Sequence, residues 1–581
     1  MEPRSAAHAL AEIAVLLELR GENPFRARAF AGAARTIQSL RVRDIAPLVR
    51  SRELAAYRGI GPVSMAVLRE LIETGDSAYL AHLRETTPDG LTEMLRVPGL
   101  GPARIHRLYT GLGVASVAEL EAVARDGRLA ALPGFGRRTA ERVLRGIASL
   151  RAAGERLLHT VADGAARHLC SLLERHPGIA RVEIAGSLRR GCELVGDVDL
   201  VVVCREPPAR VAASVAELPG AREVRGGSTT PSVRFAGGLR ADLYCVAASR
   251  FPVALWRATG SAGHVAALER LANARGLSLA GDRVLGPDGQ ELLIASELAL
   301  YEALGIPYVS PELREDRGEV DAARNGRLPA LLEAGDIRGV LHCHSTWSDG
   351  RASIEEMALA AKARGWEYLG ITDHSQAAFY AGGLPREAVR RQHEEIDRLN
   401  ARLEGIRVLK GTEADILADG RLDYGAELLD RFDYVVGSVH SRFGMPEARM
   451  TERILTALED PHLTILAHPT GRLLLNREPY AVNLDAVLER AAEQRVAVEL
   501  DCDPHRMDLD WRWIRVARDR GAMVEIGPDA HSVDGLNAME LGVIQGRKAW
   551  LEASDVLNAR DVNAVLAFAR SRRTSRAADE S

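Results

Sequence analysis

Gly186-Ser187-Leu188-Arg189-Arg190-Gly191-Cys192-Glu193-Leu194-Val195-Gly196-Asp197-Val198-Asp199, continued by the apolar run Leu200-Val201-Val202-Val203, decides the reading of the first half of this chain. A glycine-flanked turn leads into a β-branched strand that opens on two acids one residue apart. Residues i and i+2 of a strand face the same way, so Asp197 and Asp199 present two carboxylates together. Such a like-charge pair is costly unless divalent cations sit between the oxygens. Asp242, in the later run Arg240-Ala241-Asp242-Leu243-Tyr244-Cys245-Val246, can supply a third carboxylate. Three carboxylates with two Mg²⁺ or Mn²⁺ suit an in-line displacement at phosphorus, and Ser187 and Arg190 on the turn beside Gly196 suit triphosphate oxygens.

Upstream, residues 1–150 read as helices throughout, with apolar spacing near 3.6 and few β-branched runs. A short pattern recurs three times: Gly59-Ile60-Gly61-Pro62, Pro98-Gly99-Leu100-Gly101-Pro102 and Pro133-Gly134-Phe135-Gly136, each opening an amphipathic helix with cations on one face. These are helix–hairpin–helix signatures. The glycines permit a tight turn with backbone close to a ligand, and the helix N-terminus points free N–H groups at a phosphate. One copy would be an ordinary turn between helices; three point to sequence-independent binding of the DNA backbone through Gly59, Gly61, Gly99, Gly101, Gly134 and Gly136.

Downstream of a charged, proline-containing stretch (306–335), seven strand-then-helix units follow: VLHCHS, YLGITDH, RVLKGTEADI, YVVGSVHS, LTILAHP, VAVELDC and MVEIGPDAH. This alternation implies a closed or nearly closed parallel α/β barrel with reactive residues at the C-terminal ends of its strands. His342 and His344 alternate in VLHCHS, and Asp349, His374, Glu413, His440, His468, Asp529 and His531 fall at or near successive strand ends. Six of the nine histidines of residues 321–581 are placed this way. Imidazole with carboxylate suits Zn²⁺, Mn²⁺ or Fe, among which spacing does not choose.

The whole chain of 581 residues is too long for one core. It has no run approaching the ~20 apolar residues of a membrane helix, and its first residues carry no secretory pattern. Six cysteines form no CxxC and read as reduced thiols of a cytoplasmic protein. The net charge of −5 divides unevenly: residues 1–150 hold 21 Arg and 16 acids, or +5, a mild fit to a polyanion. Only three lysines occur, Lys362, Lys410 and Lys548, so no amine for Schiff-base chemistry exists in the first 361 residues.

Two resemblances join these signals. GSLRRGCELVGDVDLVVV, with the helix–hairpin–helix elements before it and RADLYCV and Thr259-Gly260-Ser261 after it, resembles the nucleotidyltransferase palm of the family X DNA polymerases over about 1–317. The resemblance implies gap filling in base-excision repair, with Asp197, Asp199 and Asp242 as catalytic metal ligands and Gly260 at the nucleotide. The chain departs from that pattern at Arg257 and Ala258, where an aromatic pair usually packs at the sugar, and at Val265 and Glu269, where Asn and Arg are usual. An acid at 269 is expected to repel phosphate, and loss of the aromatic pair to weaken discrimination against ribonucleotides. The C-terminal constellation resembles the PHP (polymerase and histidinol phosphatase) domain over about 336–570, implying up to three Mn²⁺, Zn²⁺ or Fe ions and phosphoesterase chemistry. Asp501 and Asp503 stand where relatives tend to have Asn, and Arg472 or Arg506 is a candidate holder of a DNA phosphate.

The expected organisation is multidomain α+β. It comprises a helical DNA-binding domain (1–85), helix–hairpin–helix fingers (86–150), the palm (151–250), a small thumb (251–317), a linker (318–335) and a distorted TIM-like PHP barrel (336–570). The partners are gapped or nicked DNA and deoxynucleoside triphosphates, for a monomer without a membrane. Three alternatives stand beside this reading: a polymerase-deficient 3′-end-processing phosphoesterase, a histidinol-phosphatase-like small-molecule enzyme, and a non-catalytic DNA-binding scaffold.

Overall fold

Apolar residues at helical spacing give the first 150 residues an all-helical fold around one continuous core running from Ala6 to Ile147. The blocks 1–85 and 86–150, expected as separate domains, share that core. The computed structural model describes residues 1–581 other than 2, 39, 41, 43, 75–76, 98, 154–155, 216–220, 236–238 and 580–581, and it divides into two units, Met1–Arg327 and Leu328–Ser581. The three Gly-x-Gly turns lead into helices α1 (Pro62–Thr74), α2 (Pro102–Leu112) and α3 (Arg137–Ala153).

A five-stranded mixed sheet follows: β1 (Ile179–Ile184), β2 (Val198–Cys204), β3 (Ala221–Gly226), β4 (Pro231–Phe235) and β5 (Arg240–Ala247), in the order β1-β2-β5-β4-β3. Strands β2 and β5 run parallel at its centre, buried on both faces, which is why β2 reads as an unbroken apolar run. Helices α4 (Phe251–Thr259) and α5 (Ala262–Ala274) and a three-stranded antiparallel meander complete the thumb region.

The segment 318–335, expected as a linker, is ordered on both sides of the division between the units. Glu319 opens a short helix, Glu319–Arg324, and is buried, accepting from His264 Nδ1 (2.7 Å) and the backbone N–H of Arg317 (2.7 Å). Leu332 is buried in the C-terminal core and donates to the Leu551 carbonyl (2.9 Å). Dense charge suggested a linker, but here one of the acids is a buried acceptor.

The described residues of the second unit hold eight short parallel strands: β6 (Gly339–Val340), β7 (Tyr368–Ile371), β8 (Arg407–Lys410), β9 (Glu413–Asp415), β10 (Val435–Ser438), β11 (Leu463–Leu466), β12 (Ala497–Asp501) and β13 (Val524–Gly527). They form sheets β6-β7-β8 and β9-β10-β11-β12-β13. Parallel bridges His374–Glu413 and Cys343–Ala530 connect the two into a distorted barrel. Strands β8 and β9 are one expected strand broken at Gly411-Thr412. The Tyr434 ring crosses the barrel floor, donating to the Leu341 carbonyl (2.5 Å). A Cβ at Gly370 or Gly411 would lie 1.9 Å from its hydroxyl oxygen or 2.6 Å from Cζ. Leu341, Tyr368, Leu409, Val436 and Ile465 fill this floor, and the C-terminal helix Val562–Asp579 packs against it. That helix runs past the expected boundary at 570, and Arg572 within it is buried against the Leu458 and Leu463 carbonyls. No helix among the described residues is long and apolar enough to cross a membrane.

The buried Asn558 amide ties first strand to last: Nδ2 donates to the Gly339 and Ile526 carbonyls (3.0 Å each) and Oδ1 accepts from Ile526 N (3.1 Å). Asn558→Leu strands these backbone groups, so the C-terminal unit is expected to lose about 2–4 kcal/mol. Tryptophan fluorescence during denaturation of the full chain reads this directly, since five of its six tryptophans lie beyond residue 328. An unchanged midpoint would refute the closure role.

Candidate metal centres and nucleic-acid interface

In the helical region, Gly59, Gly99 and Gly134 adopt φ of +91°, +86° and +81°, which side chains disfavour. The second glycines, Gly61, Gly101 and Gly136, are open: a Cβ on any of them would meet nothing within 4 Å. Each turn therefore brings bare backbone to the surface at the head of a helix. Pro98, part of the second signature, lies outside the described residues.

In the palm, Asp199 and Asp242 are register partners on β2 and β5, while Asp197 stands one residue ahead of β2 rather than within it. Burial, and then the Asp197 and Asp242 charges, push the Asp199 carboxyl up to about 7. Asp197 pairs with Arg240, and Asp199 accepts from the Tyr244 hydroxyl at 3.2 Å. Asp242 Oδ1 and Ser187 Oγ are buried without a hydrogen-bond partner. Each such atom costs ~1–3 kcal/mol unless something meets it, and a cation and a phosphate oxygen are the partners these two atoms suit. Gly186 has φ +62°, and a Cβ there would lie 1.8 Å from Asp199 Oδ2.

An open cleft of about 380 Å³ beside these acids is lined by Ser187, Arg190, Asp197, Asp199, Gly260 and Val265, among others. Arg190 Nε pairs with Glu315 (3.0 Å), and its NH1 donates to the Thr259 carbonyl. Gly260, at φ +67°, leaves room for that guanidinium, whose NH1 would be 3.2 Å from a Cβ. Gly196 faces open space. Arg257 and Glu269, two departures from the family X pattern, bind each other at 2.7 Å, and Arg257 also donates to the Gly281 (2.6 Å) and Leu279 (3.0 Å) carbonyls. The expected repulsion of phosphate by Glu269 is thereby corrected: its charge is answered within the thumb. His264 is buried between Glu319 and Tyr301, a packing role.

At the barrel mouth the nine expected residues converge. Eight form three groups whose donor atoms lie within 4.8 Å of one another: His344, Asp349, His374 and His531; His342, His344 and Asp529; and His374, Glu413 and His440. The ninth, His468, sets Nε2 2.9 Å from Glu413 Oε1. His342 and His344 lie beyond β6 on its extended continuation, with Cys343 turned into the core. Glu413 is the hub, with His374 at 2.8 Å, His440 at 3.2 Å, His344 at 3.6 Å and His342 at 3.7 Å. Burial alone would raise its carboxyl; the charges of His440 and His374 outweigh burial and hold it well below the usual range. Burial pushes His344 and His468 down to about 3, keeping both imidazoles in the neutral form that ligates metal. Buried His342 Nε2, both ring nitrogens of His344, His468 Nδ1 and Asp529 Oδ1 complete no hydrogen bond. So many orphaned lone pairs facing one another fit divalent cations and no internal partner.

Sequence reasoning missed the acids behind the ligands. Glu499 takes His342 Nδ1 at 2.5 Å and the His468 backbone N–H at 2.7 Å; Asp415 takes His440 Nδ1 at 2.7 Å. Such acceptors fix ring orientation. Asp373 ties the Asp349 loop down through Ser345 and Ser348. The available signal was an acid inside an otherwise apolar strand. Of the two candidate arginines, Arg472 is consumed by the Arg506 and Met507 carbonyls and Asp510. Arg506 remains, its Nε 3.3 Å from Asp501 and 3.4 Å from Asp529.

Fold and sites together define a polymerase-type palm and thumb joined to a metal-dependent phosphoesterase barrel. Family models match accordingly: a helix-hairpin-helix domain (1–77), a SAM-like helix-hairpin-helix tandem (91–149), a DNA polymerase beta thumb (254–315) and a PHP domain (341–501). The Bacillus subtilis DNA polymerase/3′-5′ exonuclease PolX is 37% identical over 572 residues, 98% of this chain and 99% of that one. Probable phosphatases of Caldicellulosiruptor saccharolyticus (26% over 200 residues, 33% of this chain and 78% of that one) and Acetivibrio thermocellus (32% over 165 residues, 28% and 63%) are also similar. The chain belongs to the bacterial PolX family, the family X DNA polymerases that carry a C-terminal PHP domain.

Gly186→Ala places a methyl group on the Asp199 carboxylate, so it should cut primer extension on gapped DNA about a hundredfold or more, as deep a loss as Asp199→Ala. Extension near the wild-type rate would show that Asp199 need not hold its observed position.

Proposed function

We propose that this chain, as a monomer, fills short gaps in nicked or gapped DNA from its first unit and trims DNA 3′ ends from its second. The observation that carries the reading is two convergent sets of metal-type donors in one chain, three palm carboxylates and nine barrel-mouth residues, each set holding buried polar atoms that complete no hydrogen bond, alongside three bare-backbone turns for DNA phosphates. The Bacillus subtilis relative is named for the same two activities.

In the palm, Asp197, Asp199 and Asp242 would hold two Mg²⁺ or Mn²⁺, which when bound neutralise triphosphate charge and acidify the primer 3′-hydroxyl. Ser187 Oγ donates to a triphosphate oxygen, and Arg190 exchanges Glu315 for another. Gly196 and Gly260 keep the cleft floor low enough for a deoxynucleoside triphosphate. The Asp242 carboxylate oxygen not engaged by the cation accepts the 3′-hydroxyl proton; the 3′-oxygen bonds to the α-phosphorus and the bond to pyrophosphate breaks. At the barrel mouth, His342, His344, Asp349, His374, Glu413, His440, His468, Asp529 and His531 would hold up to three Mn²⁺, Zn²⁺ or Fe ions, which when bound supply charge neutralisation and an activated water. Glu499 and Asp415 keep His342 and His440 in ligating orientation. Arg506, steadied through Nε, offers its remaining nitrogens to the scissile phosphate. Water oxygen adds to the terminal nucleotide's phosphorus, the bond to the preceding 3′-oxygen breaks, and the proton released by the water ends on that oxygen as the new 3′-hydroxyl.

A chain that only trims 3′ ends is the second reading, favoured by Ala258 and Val265 lining the cleft where larger or polar groups are usual. The two are separated by primer extension and 3′–5′ degradation measured side by side. Asp197→Ala or Asp199→Ala should abolish extension and spare degradation; His342→Ala with His344→Ala, or Asp529→Ala with His531→Ala, should do the reverse. Manganese should support degradation better than magnesium. A wild type that extends nothing with either metal establishes the second reading. Fewer than one bound transition metal per chain, with degradation indifferent to the double variants, rejects the barrel assignment.

With no lysine before Lys362, borohydride trapping on a 5′-deoxyribose-phosphate end should leave no lysine adduct in residues 1–361. An adduct mapped to any side chain there would contradict the reading.

A further inference from the structure

Directly after His374 the chain makes a short loop whose two adjacent aromatics face solvent: Phe379 is 84% exposed and Tyr380 61%. Phe379 is the most exposed large apolar side chain among the described residues. The loop does not need these rings to hold its shape. Its backbone is closed by Ala378 N to Ser375 O (3.0 Å), Gly383 N to Ala378 O (3.1 Å) and Leu384 N to His374 O (2.8 Å), with Ala377 N on Asp423 Oδ2 (2.7 Å). Ala378 and Ala381 point inward and are buried. A Cβ at Gly383 would lie 1.9 Å from the Ser375 carbonyl, so the turn has little room to rearrange. Two exposed rings are thus carried on a stiff support, in a chain where aromatics are only 4% of residues.

The position decides what they meet. The Tyr380 ring centroid is 6.4 Å from that of His440, a candidate ligand, and the Phe379 ring stands nearly perpendicular to it at 6.0 Å and 78°. A phosphodiester seated at the metal donors would carry its nucleoside base within reach of these rings. Nucleobases offer a π face of every sequence to an aromatic platform, whereas a lipid tail would have to lie against the carboxylates.

Resting on the phosphoesterase reading above, we infer that Phe379 and Tyr380 form a base-stacking platform for the unpaired 3′-terminal nucleotide, one ring on the base face and the perpendicular ring at its edge. The platform makes the barrel a reader of single-stranded 3′ ends, because a base still paired in a duplex cannot lay its face on a side chain without leaving the stack.

The test uses the full chain, wild type and Phe379→Leu/Tyr380→Leu, which keeps apolar bulk and removes both rings. In EDTA, a single-stranded oligonucleotide ending in 2-aminopurine should be quenched by the wild type and not by the double variant; the same label ten nucleotides inward should respond equally to both. With Mn²⁺, kcat/KM on a strand with an ordinary 3′-terminal base should exceed that on a strand ending in an abasic nucleotide by about tenfold, and the variant should reduce that ratio to about one. Phe379→Trp should keep the preference. An unchanged ratio in the double variant, or terminal quenching that survives it, overturns the platform. A wild type that binds and quenches in EDTA yet hydrolyses nothing with Mn²⁺ refutes the phosphoesterase reading and leaves the platform standing.

Discussion

A carboxylate, Glu413, lies out of contact with bulk water with imidazoles close around it, and much of the second unit serves to keep it there. An isolated buried carboxylate would protonate. Here His374, His440, His342, His344 and His468 stand within 3.7 Å of its oxygens, so the charge survives burial. The arrangement needs the backbone break at Gly411-Thr412, which ends β8 and restarts the strand with Glu413 aimed across the mouth. That break in turn needs the Tyr434 ring beneath it, filling the floor that Gly370 and Gly411 leave open. Floor, break and hub form one chain of consequence from apolar packing to metal-binding chemistry.

The palm answers the same problem with different donors. Three carboxylates gathered at β2 and β5 repel one another, and burial together with that repulsion raises the Asp199 carboxyl. No imidazole offsets it; Arg240 and Tyr244 do so only in part. All-oxygen sites suit hard cations that arrive with a triphosphate, whereas the imidazole-rich mouth suits softer ions that stay. The two donor sets therefore differ in the hardness of the ions they suit, and this follows from residue type alone.

Most of both centres was legible because their signals are short-range. Asp197/Asp199, His342/His344 and Asp529/His531 are spaced by two at or just outside a strand, so the spacing flags a shared site even where Asp197, Asp529 and His531 stand beyond the strands themselves. The barrel showed itself through repetition, and the hairpin turns through three glycine pairs. What could not be read depends on pairing across the fold. Glu499 and Asp415 look like stray acids until the barrel sets them behind His342 and His440, 157 and 25 residues away in sequence. The segment 318–335 looked like a linker because charge density carries no information about which acid finds a buried histidine, as Glu319 does with His264.

The paired departures in the thumb show the same limit from the other side. Taken singly, Arg257 marked the loss of an aromatic ring at the sugar and Glu269 an anion near phosphate, and each looked damaging. Joined at 2.7 Å, with two backbone carbonyls completing the guanidinium's partners, they become one neutral structural contact between α4 and α5 and the adjoining meander. What the cleft has lost is then surface rather than electrostatic balance: Ala258 and Val265 leave its wall small and apolar. The groups that would meet phosphate and metal, Ser187, Arg190 and the three acids, stand on the palm side and owe nothing to that wall. Loss of wall contacts bears on which sugar fits, a difference of ordinary packing energies, while bond formation depends on the charges gathered at β2 and β5.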